Sequence, residues 1–177
     1  AESKPFFCYL ATYSPHTPLD APESFIKPFI EVGLNDTHAT YLAMIENIDF
    51  NLGRLMKFLK AKNIDRDTII IMLNDNGVTE GLDLYNANMR GPKCSAWEGG
   101  TRAFSFWRWP GKWKPRVLDN LTAHLDIFPT LCELADAKIP TGLNEQLEGF
   151  SLVPLLNAND SVEEWKKERI LYHHVAR

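Results

Sequence analysis

The sequence lacks the features typical of a membrane-spanning or nucleic-acid-binding protein. Although 45% of its 177 residues are hydrophobic, no apolar run is long enough to cross a bilayer. Its 19 lysines and arginines are scattered and are outnumbered by 23 aspartates and glutamates, so no clustered basic surface can release counterions from a nucleic acid. We therefore expect neither a membrane nor a nucleic acid as a partner.

Cysteine is also scarce, and its spacing is not that of a metal-ligand motif. Cys8, Cys94 and Cys132 are far apart and form no pair with the short spacing of a metal-ligand motif. Cys8 and Cys132 lie in apolar segments, where cysteine commonly packs as a small hydrophobic residue. The cysteines therefore leave the cellular compartment open.

The first residues contain no initiator methionine, basic leader or signal-peptide cleavage site. Residues 1–5 lead directly into an apolar run that is typical of a core strand. We expect the chain to be a fragment of a longer protein, with neighbouring strands supplied by a preceding segment. A sheet edge or apolar face uncovered in such a fragment predicts dimerisation, because these surfaces recruit other chains.

Hydrophobic patterns in the first half predict a strand, a long helix and a second strand. Phe6–Thr12 is a continuous apolar run, as is Thr68–Leu73, and both are expected to be buried strands. Between Asp36 and Lys62, apolar residues recur at steps of three and four, which predicts an amphipathic helix capped by Asp36 or Thr37. Strand–helix–strand order is typical of a right-handed parallel crossover. The sequence thus predicts an α/β fold with a mostly parallel central sheet.

The second half is predicted to contain a third strand, Thr101–Trp109, and a helix, Thr122–Ala135. Pro129 must lie in the first turn of that helix or kink it. Ser161–Glu164 is a capping box that predicts a further short helix, and Ile170–Val175 is a candidate last strand. No repeat or low-complexity linker interrupts these elements, so we predict one continuous α/β unit.

Asp75, Asn76 and Gly77 follow the end of the second predicted strand, where open parallel sheets bind their ligands. A carboxylate beside an amide oxygen suits a hard cation such as Ca²⁺ or Mg²⁺. The alternative is a simple turn, because Asn-Gly is a common hairpin signal. The polar and irregular sequence of residues 78–88 favours the ligand-binding loop over a hairpin.

His16 and Lys93 are candidate catalytic residues. Because parallel strands end at the same edge of a sheet, the loop that carries His16 is expected to face Asp75 and Asn76. There His16 could bind an anionic ester oxygen or protonate a leaving alkoxide, although a surface loop residue is the alternative. Lys93 could stabilise charge that develops on a leaving oxygen, or it could be an ordinary solvated lysine.

Five motifs, in this order, resemble the sulfatase family of the alkaline-phosphatase-like superfamily. Ser14–Pro18 is similar to the family's Pro-His-x-Pro loop, and Thr68–Gly77 is similar to its strand that ends in Asp-Asn-Gly. Lys93–Arg102 resembles the lysine followed by Tyr/Trp-Glu-Gly-Gly-x-Arg, which is the most specific signature present. Asp126–Thr130 and Leu147–Leu156 resemble two stretches found further downstream in these enzymes.

The resemblance implies that residues 1–177 are the carboxyl-terminal part of a sulfatase catalytic domain. The implied fold is an alkaline-phosphatase-like α/β sandwich whose amino-terminal strands are missing. Asp75 and Asn76 would be cation ligands, usually for Ca²⁺, and Mg²⁺ is the alternative cation. His16 and Lys93 would contact the sulfate group and the leaving oxygen.

The family's nucleophile is a formylglycine hydrate made from a cysteine or serine. Its Cys/Ser-x-Pro-x-Arg motif does not occur in these 177 residues, and neither does the family's early strand with paired aspartates. We therefore expect the formylglycine upstream of this fragment. We also expect the isolated fragment to be inactive and to bind a cation weakly, if at all.

The activity implied for the whole protein is hydrolysis of sulfate esters, with a sulfated small molecule or glycan as its partner. Sulfated carbohydrates and aryl sulfates are the expected substrate classes, and the family is periplasmic, secreted or lysosomal. A phosphodiesterase or phosphonate hydrolase of the same superfamily is an alternative. A non-catalytic module that binds an anionic glycan is an alternative from another class.

Overall fold

The structure is a computed structural model that describes residues 4–158, 165–166 and 168–173. The helices are α1 (Glu23–Glu31), α2 (Asp36–Ala61), α3 (Glu98–Thr101), α4 (Ile127–Leu134), α5 (Thr141–Asn144) and α6 (Val153–Asn157), with 3₁₀ turns at Asp65–Asp67 and His124–Asp126 and strands β1 (Ile70–Leu73) and β2 (Ser105–Arg108). None of the helices in these ranges combines the length and apolar character that crossing a membrane requires.

The two strands pair with each other and run antiparallel. Just beyond β1, the N–H of Asn74 donates to Phe104 O, and the N–H of Gly77 donates to Gly100 O, so residue numbers on the partner fall as those on the first segment rise. Within the described residues β1 and β2 make up the whole sheet. A mixed α/β fold is therefore confirmed, whereas the mostly parallel central sheet is not observed.

Residues 6–12 do not form the predicted strand. The segment is irregular, and its large side chains are exposed, with Phe7 at 77% and Tyr9 at 83%. A strand needs a neighbour to satisfy its backbone N–H and C=O groups, and no strand of the described chain lies beside this segment. The prediction was wrong because an apolar run indicates a preference for burial but does not show that a paired neighbour is present.

The long helix predicted between Asp36 and Lys62 is confirmed as α2. Its cap differs from the prediction, because Asn35 and not Asp36 or Thr37 occupies the N-cap position. The side-chain oxygen of Asn35 accepts a hydrogen bond from the N–H of His38 at 2.9 Å, which satisfies one of the unpaired donors of the first turn.

Helix α1 was not predicted, because Pro22 precedes it and Pro28 lies within it. It packs against α2, and the rings of Phe25 and Phe50 meet edge to face with centroids 5.6 Å apart. Such aromatic pairs favour this geometry over a stacked sandwich. The contact with α2 thus compensates for a sequence with a weak intrinsic preference for helix.

The second half follows the predicted order with different boundaries. The third predicted strand begins later, at Ser105, because Glu98–Thr101 forms the one-turn helix α3. The predicted helix over 122–135 is a 3₁₀ turn followed by α4, with Pro129 in the first turn of α4, as expected. The capping box at 161–164 lies outside the described residues. Residues 170–173, the described part of the predicted last strand, are not in a strand.

The chain divides into two compact units. The described residues of 1–64 and 72–105 form unit 1, and those of 65–71 and 106–174 form unit 2. The expectation of a single α/β domain over residues 1–177 stays a prediction, since one domain can contain two such units.

Unit 2 has an apolar core around helix α6. Leu152, Leu155 and Leu156 are buried there, and the partly buried residues Trp107, Trp113, Leu118 and Trp165 pack against them. Close packing of large apolar side chains is the main source of stability in small protein units.

A buried carboxylate joins the two downstream sequence motifs in unit 2. Asp126 is fully buried and accepts hydrogen bonds from the N–H groups of Ala123 and Phe150, both at 2.8 Å. The guanidinium of Arg169 binds both of its oxygens, at 2.7 and 2.9 Å. The hydroxyl of Thr130 donates to Asp126 O and accepts from the N–H of Leu152. The motifs at 126–130 and 147–156 are therefore parts of one buried polar network.

Candidate active site

The candidate cation loop, Asp75–Gly77, leaves the end of β1 and lies against helix α3. The N–H of Gly77 donates to Gly100 O at 3.0 Å. A Cβ atom on Gly77 would stand only 1.7 Å from Gly99 O, which is far inside any van der Waals contact. Glycine is therefore required at position 77 for the backbones of the two motifs to approach each other.

The segment that carries Lys93 is fixed to the same loop. The N–H of Lys93 donates to Val78 O at 2.9 Å, and the N–H of Gly99 donates to Arg90 O at 2.8 Å. Gly91 adopts a φ of 83°, and a Cβ there would lie 2.5 Å from the hydroxyl of Ser95. Backbone contacts thus bring the Asp-Asn-Gly, Gly-Pro-Lys and Trp-Glu-Gly-Gly sequences together.

Two side-chain amides stabilise this arrangement and were missed by the sequence analysis. Asn86 donates through Nδ2 to Met89 O at 2.8 Å and to Gly91 O at 3.2 Å. Asn74 donates through Nδ2 to Asn76 O at 2.5 Å and accepts through Oδ1 from the N–H of Phe104 at 2.7 Å. The position of Asn74 immediately before the Asp-Asn-Gly motif is the one sequence signal that could have indicated it.

His16 forms hydrogen bonds with residues of its own loop. Its backbone N–H donates to Tyr13 O at 3.1 Å, and its ring Nδ1 lies 2.8 Å from Thr17 O. A carbonyl oxygen can only accept a hydrogen bond, so Nδ1 carries a proton and Nε2 is the ring atom that can exchange one with a ligand.

No hydrogen bond or ion pair of the described residues joins His16 to Asp75, Asn76 or Lys93. Asp75 and His16 are exposed, whereas Asn76 and Lys93 are partly buried. The convergence of His16 on the other residues therefore stays a prediction, while the backbones around Asp75, Asn76 and Lys93 do come together.

The side chains of this loop offer the type of ligand atom that a hard cation prefers, but too few of them. The carboxylate of Asp75 and the amide of Asn76 supply oxygen, which Ca²⁺ and Mg²⁺ prefer, but Ca²⁺ takes about six to eight oxygens. The described part of the chain contains no group of three or more His, Cys, Asp or Glu residues able to hold a metal ion. The chain thus supplies only part of a ligand set for the predicted Ca²⁺ or Mg²⁺.

The loop between the Asp-Asn-Gly and Gly-Pro-Lys sequences contacts the first half of α2. Nε2 of His38 lies 3.3 Å from a carboxylate oxygen of Asp83. Burial, and to a smaller extent the Glu80 carboxylate, raises the pKa of Tyr41 above its ordinary value. Gly81 is buried beside the Tyr41 ring with a φ of 77°, which favours glycine.

An exposed cation–π pair lies beside the Lys93 segment. The guanidinium carbon of Arg90 is 3.5 Å from the centroid of the Trp97 ring, and Arg102 forms an ion pair with Glu98 at 2.7 Å. Stacking of arginine on tryptophan restricts both side chains, which lie at the two ends of the segment that carries Lys93.

Comparison with known proteins identifies the family. The family profile described as Sulfatase matches residues 1–137. The chain is 36% identical over 156 residues to the uncharacterized sulfatase YdeN of Escherichia coli (strain K12), which covers 86% of this chain and 27% of that protein. It is 31% identical over 159 residues to human arylsulfatase A, covering 88% of this chain and 29% of the relative.

The fold is similar to that of a solved structure. The crystal structure of Ps i-CgsB in complex with k-i-k-neocarrahexaose superposes with a TM-score of 0.74 at 31% identity, over 90% of this chain and 35% of that chain. The chain thus spans roughly a quarter to a third of the length of the proteins it matches. From the profile match and these identities, the chain belongs to the sulfatase family.

Proposed function

We propose that the protein containing this chain hydrolyses sulfate esters. The observation that carries the proposal is the set of backbone contacts that gathers the Asp75–Gly77 loop, the Lys93 segment and α3. These contacts bring together, in unit 1, the backbone segments that carry the proposed cation ligands and the candidate lysine. Membership of the sulfatase family supports sulfate over other ester groups.

The chain's own residues would act in three ways. Asp75 and Asn76 would hold part of the coordination sphere of a Ca²⁺ ion, with Mg²⁺ as the alternative, and the bound cation would neutralise negative charge on the sulfate oxygens. Lys93 would stabilise negative charge on the leaving oxygen. His16 would exchange a proton through Nε2, because its Nδ1 is engaged by Thr17 O.

The remaining parts of the proposed site would come from sequence outside this chain. They are the formylglycine nucleophile and the other metal carboxylates. We propose that in the longer protein β1 and β2 belong to the mostly parallel central sheet of an alkaline-phosphatase-like sandwich. A periplasmic, secreted or lysosomal location and a dimer through an exposed edge or apolar face are further parts of this proposal.

Sulfated carbohydrates are the substrate class that the comparisons favour over simple aryl sulfates. One structural neighbour was solved with a neocarrahexaose. Another, 28% identical with a TM-score of 0.74, comes from work on the metabolism of glycosaminoglycans in Bacteroides thetaiotaomicron. The relatives named arylsulfatases keep aryl sulfates as the second class.

The test uses the full-length protein, matured by a formylglycine-generating enzyme, with a sulfated oligosaccharide, 4-nitrophenyl sulfate and 4-nitrophenyl phosphate as substrates. We expect sulfate esters to be preferred over the phosphate ester. Replacement of Lys93 or His16 by alanine should lower kcat about 10²-fold or more, as loss of a positioned charge or proton-transfer group does. Lys57→Ala, which removes an exposed lysine on α2, is the matched control and should leave kcat unchanged.

Two outcomes would contradict the proposal. An inactive protein whose formylglycine is intact by mass spectrometry would favour the non-catalytic glycan-binding module. Preference for the phosphate ester would favour the phosphodiesterase or phosphonate hydrolase. Separately, calorimetric titration of the isolated chain should show weak Ca²⁺ binding or none, because two ligands cannot satisfy the ion.

A further inference from the structure

The side chain of Asn74 completes the last hydrogen-bonded pair, that of Asn74 with Phe104, between the segments that extend β1 and β2. In an antiparallel hydrogen-bonded pair, each residue donates its N–H to the carbonyl of the other. Asn74 donates its N–H to Phe104 O, but the N–H of Phe104 donates to the side-chain Oδ1 of Asn74, at 2.7 Å. The amide side chain thus takes the place of a backbone carbonyl in this pair.

The same amide reaches forward into the candidate cation loop. Its Nδ2 donates to Asn76 O at 2.5 Å, which closes a ring over Asp75. Both predicted cation ligands therefore lie within or directly beside the peptide segment that Asn74 holds. On the other side, the N–H of Gly77 is bound to Gly100 O. The two ligands are fixed from both ends, by a side chain before them and by a glycine contact after them.

We propose that Asn74 is a positioning residue that preorganises Asp75 and Asn76 for cation binding. The inference rests on the proposed cation site and deepens it. A partly buried amide with both of its polar atoms bonded to backbone restricts the loop before the cation arrives. Without it, the loop must be ordered at the moment of binding, which weakens the affinity. Partners of this kind behind metal ligands typically contribute about 10-fold to 100-fold in metal affinity.

The decisive variant is Asn74→Leu in the full-length protein, because leucine has nearly the shape of asparagine but forms neither hydrogen bond. We expect apparent Ca²⁺ affinity, measured by calorimetry, to fall about 10-fold to 100-fold. We also expect kcat to recover at saturating Ca²⁺, with KM for the sulfate ester little changed. Asn74→Ser retains the capacity for one of the two bonds and should give an intermediate affinity.

The matched control is Asn51→Leu. The Nδ2 of Asn51 also donates to a backbone carbonyl, that of Asn47 at 2.8 Å, but on the exposed surface of α2. The same chemical change there should leave Ca²⁺ affinity unaltered. If Asn74→Leu does not fold, the Ca²⁺ affinity of Asn74→Ser decides the question.

The outcomes separate this inference from the proposed function. Unchanged Ca²⁺ affinity in the Asn74 variants, with only the melting temperature lowered, would show a purely structural role and overturn the inference. A wild-type protein that binds no Ca²⁺ would overturn it as well. If the wild type binds Ca²⁺, the Asn74 variants bind it more weakly, and no sulfate ester is hydrolysed, the inference stands and the proposed function fails.

Discussion

The candidate site of unit 1 and the buried network of unit 2 are held together by different kinds of contact. In unit 2 the largest fully buried side chains, Leu155, Thr130 and Asp126, form a core and a polar network. In unit 1 the motif-bearing segments approach through backbone, where Gly77 and Gly99 leave no room for a Cβ atom. The candidate site should therefore be most sensitive to atoms added at these glycines, and the buried network to the loss of a polar partner.

The largest expected effect tests the polar network of unit 2. Asp126→Ala removes the partner of the buried Arg169 guanidinium and of two backbone N–H groups. Breaking a buried ion pair on one side costs about 3–5 kcal/mol, because it leaves an uncompensated charge. We expect a loss of that size in the free energy of unfolding, measured by urea denaturation.

The control for this prediction replaces both partners. Asp126→Leu combined with Arg169→Met leaves no buried charge and should lose less stability than Asp126→Ala, although the N–H groups of Ala123 and Phe150 still lack an acceptor. A double variant at least as unstable as Asp126→Ala would show that the charge is not the main cause.

The next effect tests the backbone contacts of unit 1. Gly77→Ala places a Cβ 1.7 Å from Gly99 O, so the loop or α3 must move. We expect a loss of about 1–3 kcal/mol in the free energy of unfolding, as for other overpacked sites. In the full-length protein the Ca²⁺ affinity should fall as well. Unchanged stability would mean that the two segments are not in close contact.

Gly53→Ala is the matched control within the same unit. Gly53 lies in the middle of α2, and nothing lies within 4 Å of the position its Cβ would take. Alanine is favoured over glycine in a helix, so stability should rise by about 0.5–1 kcal/mol. A gain in stability for Gly53→Ala together with a loss for Gly77→Ala would show that the close backbone contact makes position 77 sensitive. A loss of stability in both variants would contradict this.

The smallest expected effect is a pH dependence in unit 1. Burial first, and then the Glu80 carboxylate, raises the pKa of Tyr41, so the folded state holds the phenol proton more tightly than the unfolded state does. Tyr41 therefore costs no stability well below the ordinary tyrosine pKa of about 10 and reduces stability as the pH rises through that value.

Tyr41→Phe should remove this alkaline loss. The difference in melting temperature between the variant and the wild type should move in favour of phenylalanine between about pH 8 and pH 11. Glu80→Gln removes the second cause only and should reduce the dependence by a smaller amount. A difference that does not vary with pH would show that Tyr41 does not titrate differently in the folded state.

Local patterns in the sequence predicted the elements that depend on local forces. The spacing of apolar residues gave α2 almost to its ends, and the position of Asp75 and Asn76 after a strand was correct. Residues 6–12 were predicted wrongly because strand formation depends on a partner elsewhere in the chain. Helix α1 was missed because its prolines disfavour helix, and packing on α2 supplies what propensity lacks.

Long-range hydrogen bonds limited the prediction of the site in the same way. Asn74 bonds to Phe104, 30 residues further along, and Asp126 bonds to Phe150 and Arg169 at separations of 24 and 43 residues. Nothing in the spacing of the sequence pairs these residues. The motifs around Asp75, Lys93 and Asp126 could be identified from the sequence. The side chains that stabilise each motif through distant hydrogen bonds could not.

The stacking of Arg90 on Trp97 has a practical consequence for spectroscopy. Trp97 is the one tryptophan whose sequence position falls in unit 1, since the others fall in unit 2 at Trp107, Trp109, Trp113 and Trp165. Separation of the guanidinium from the indole on denaturation will change the emission of Trp97. The fluorescence of the wild type minus that of Trp97→Phe therefore follows the unfolding of unit 1. The fluorescence of the Trp97→Phe variant itself follows the unfolding of unit 2.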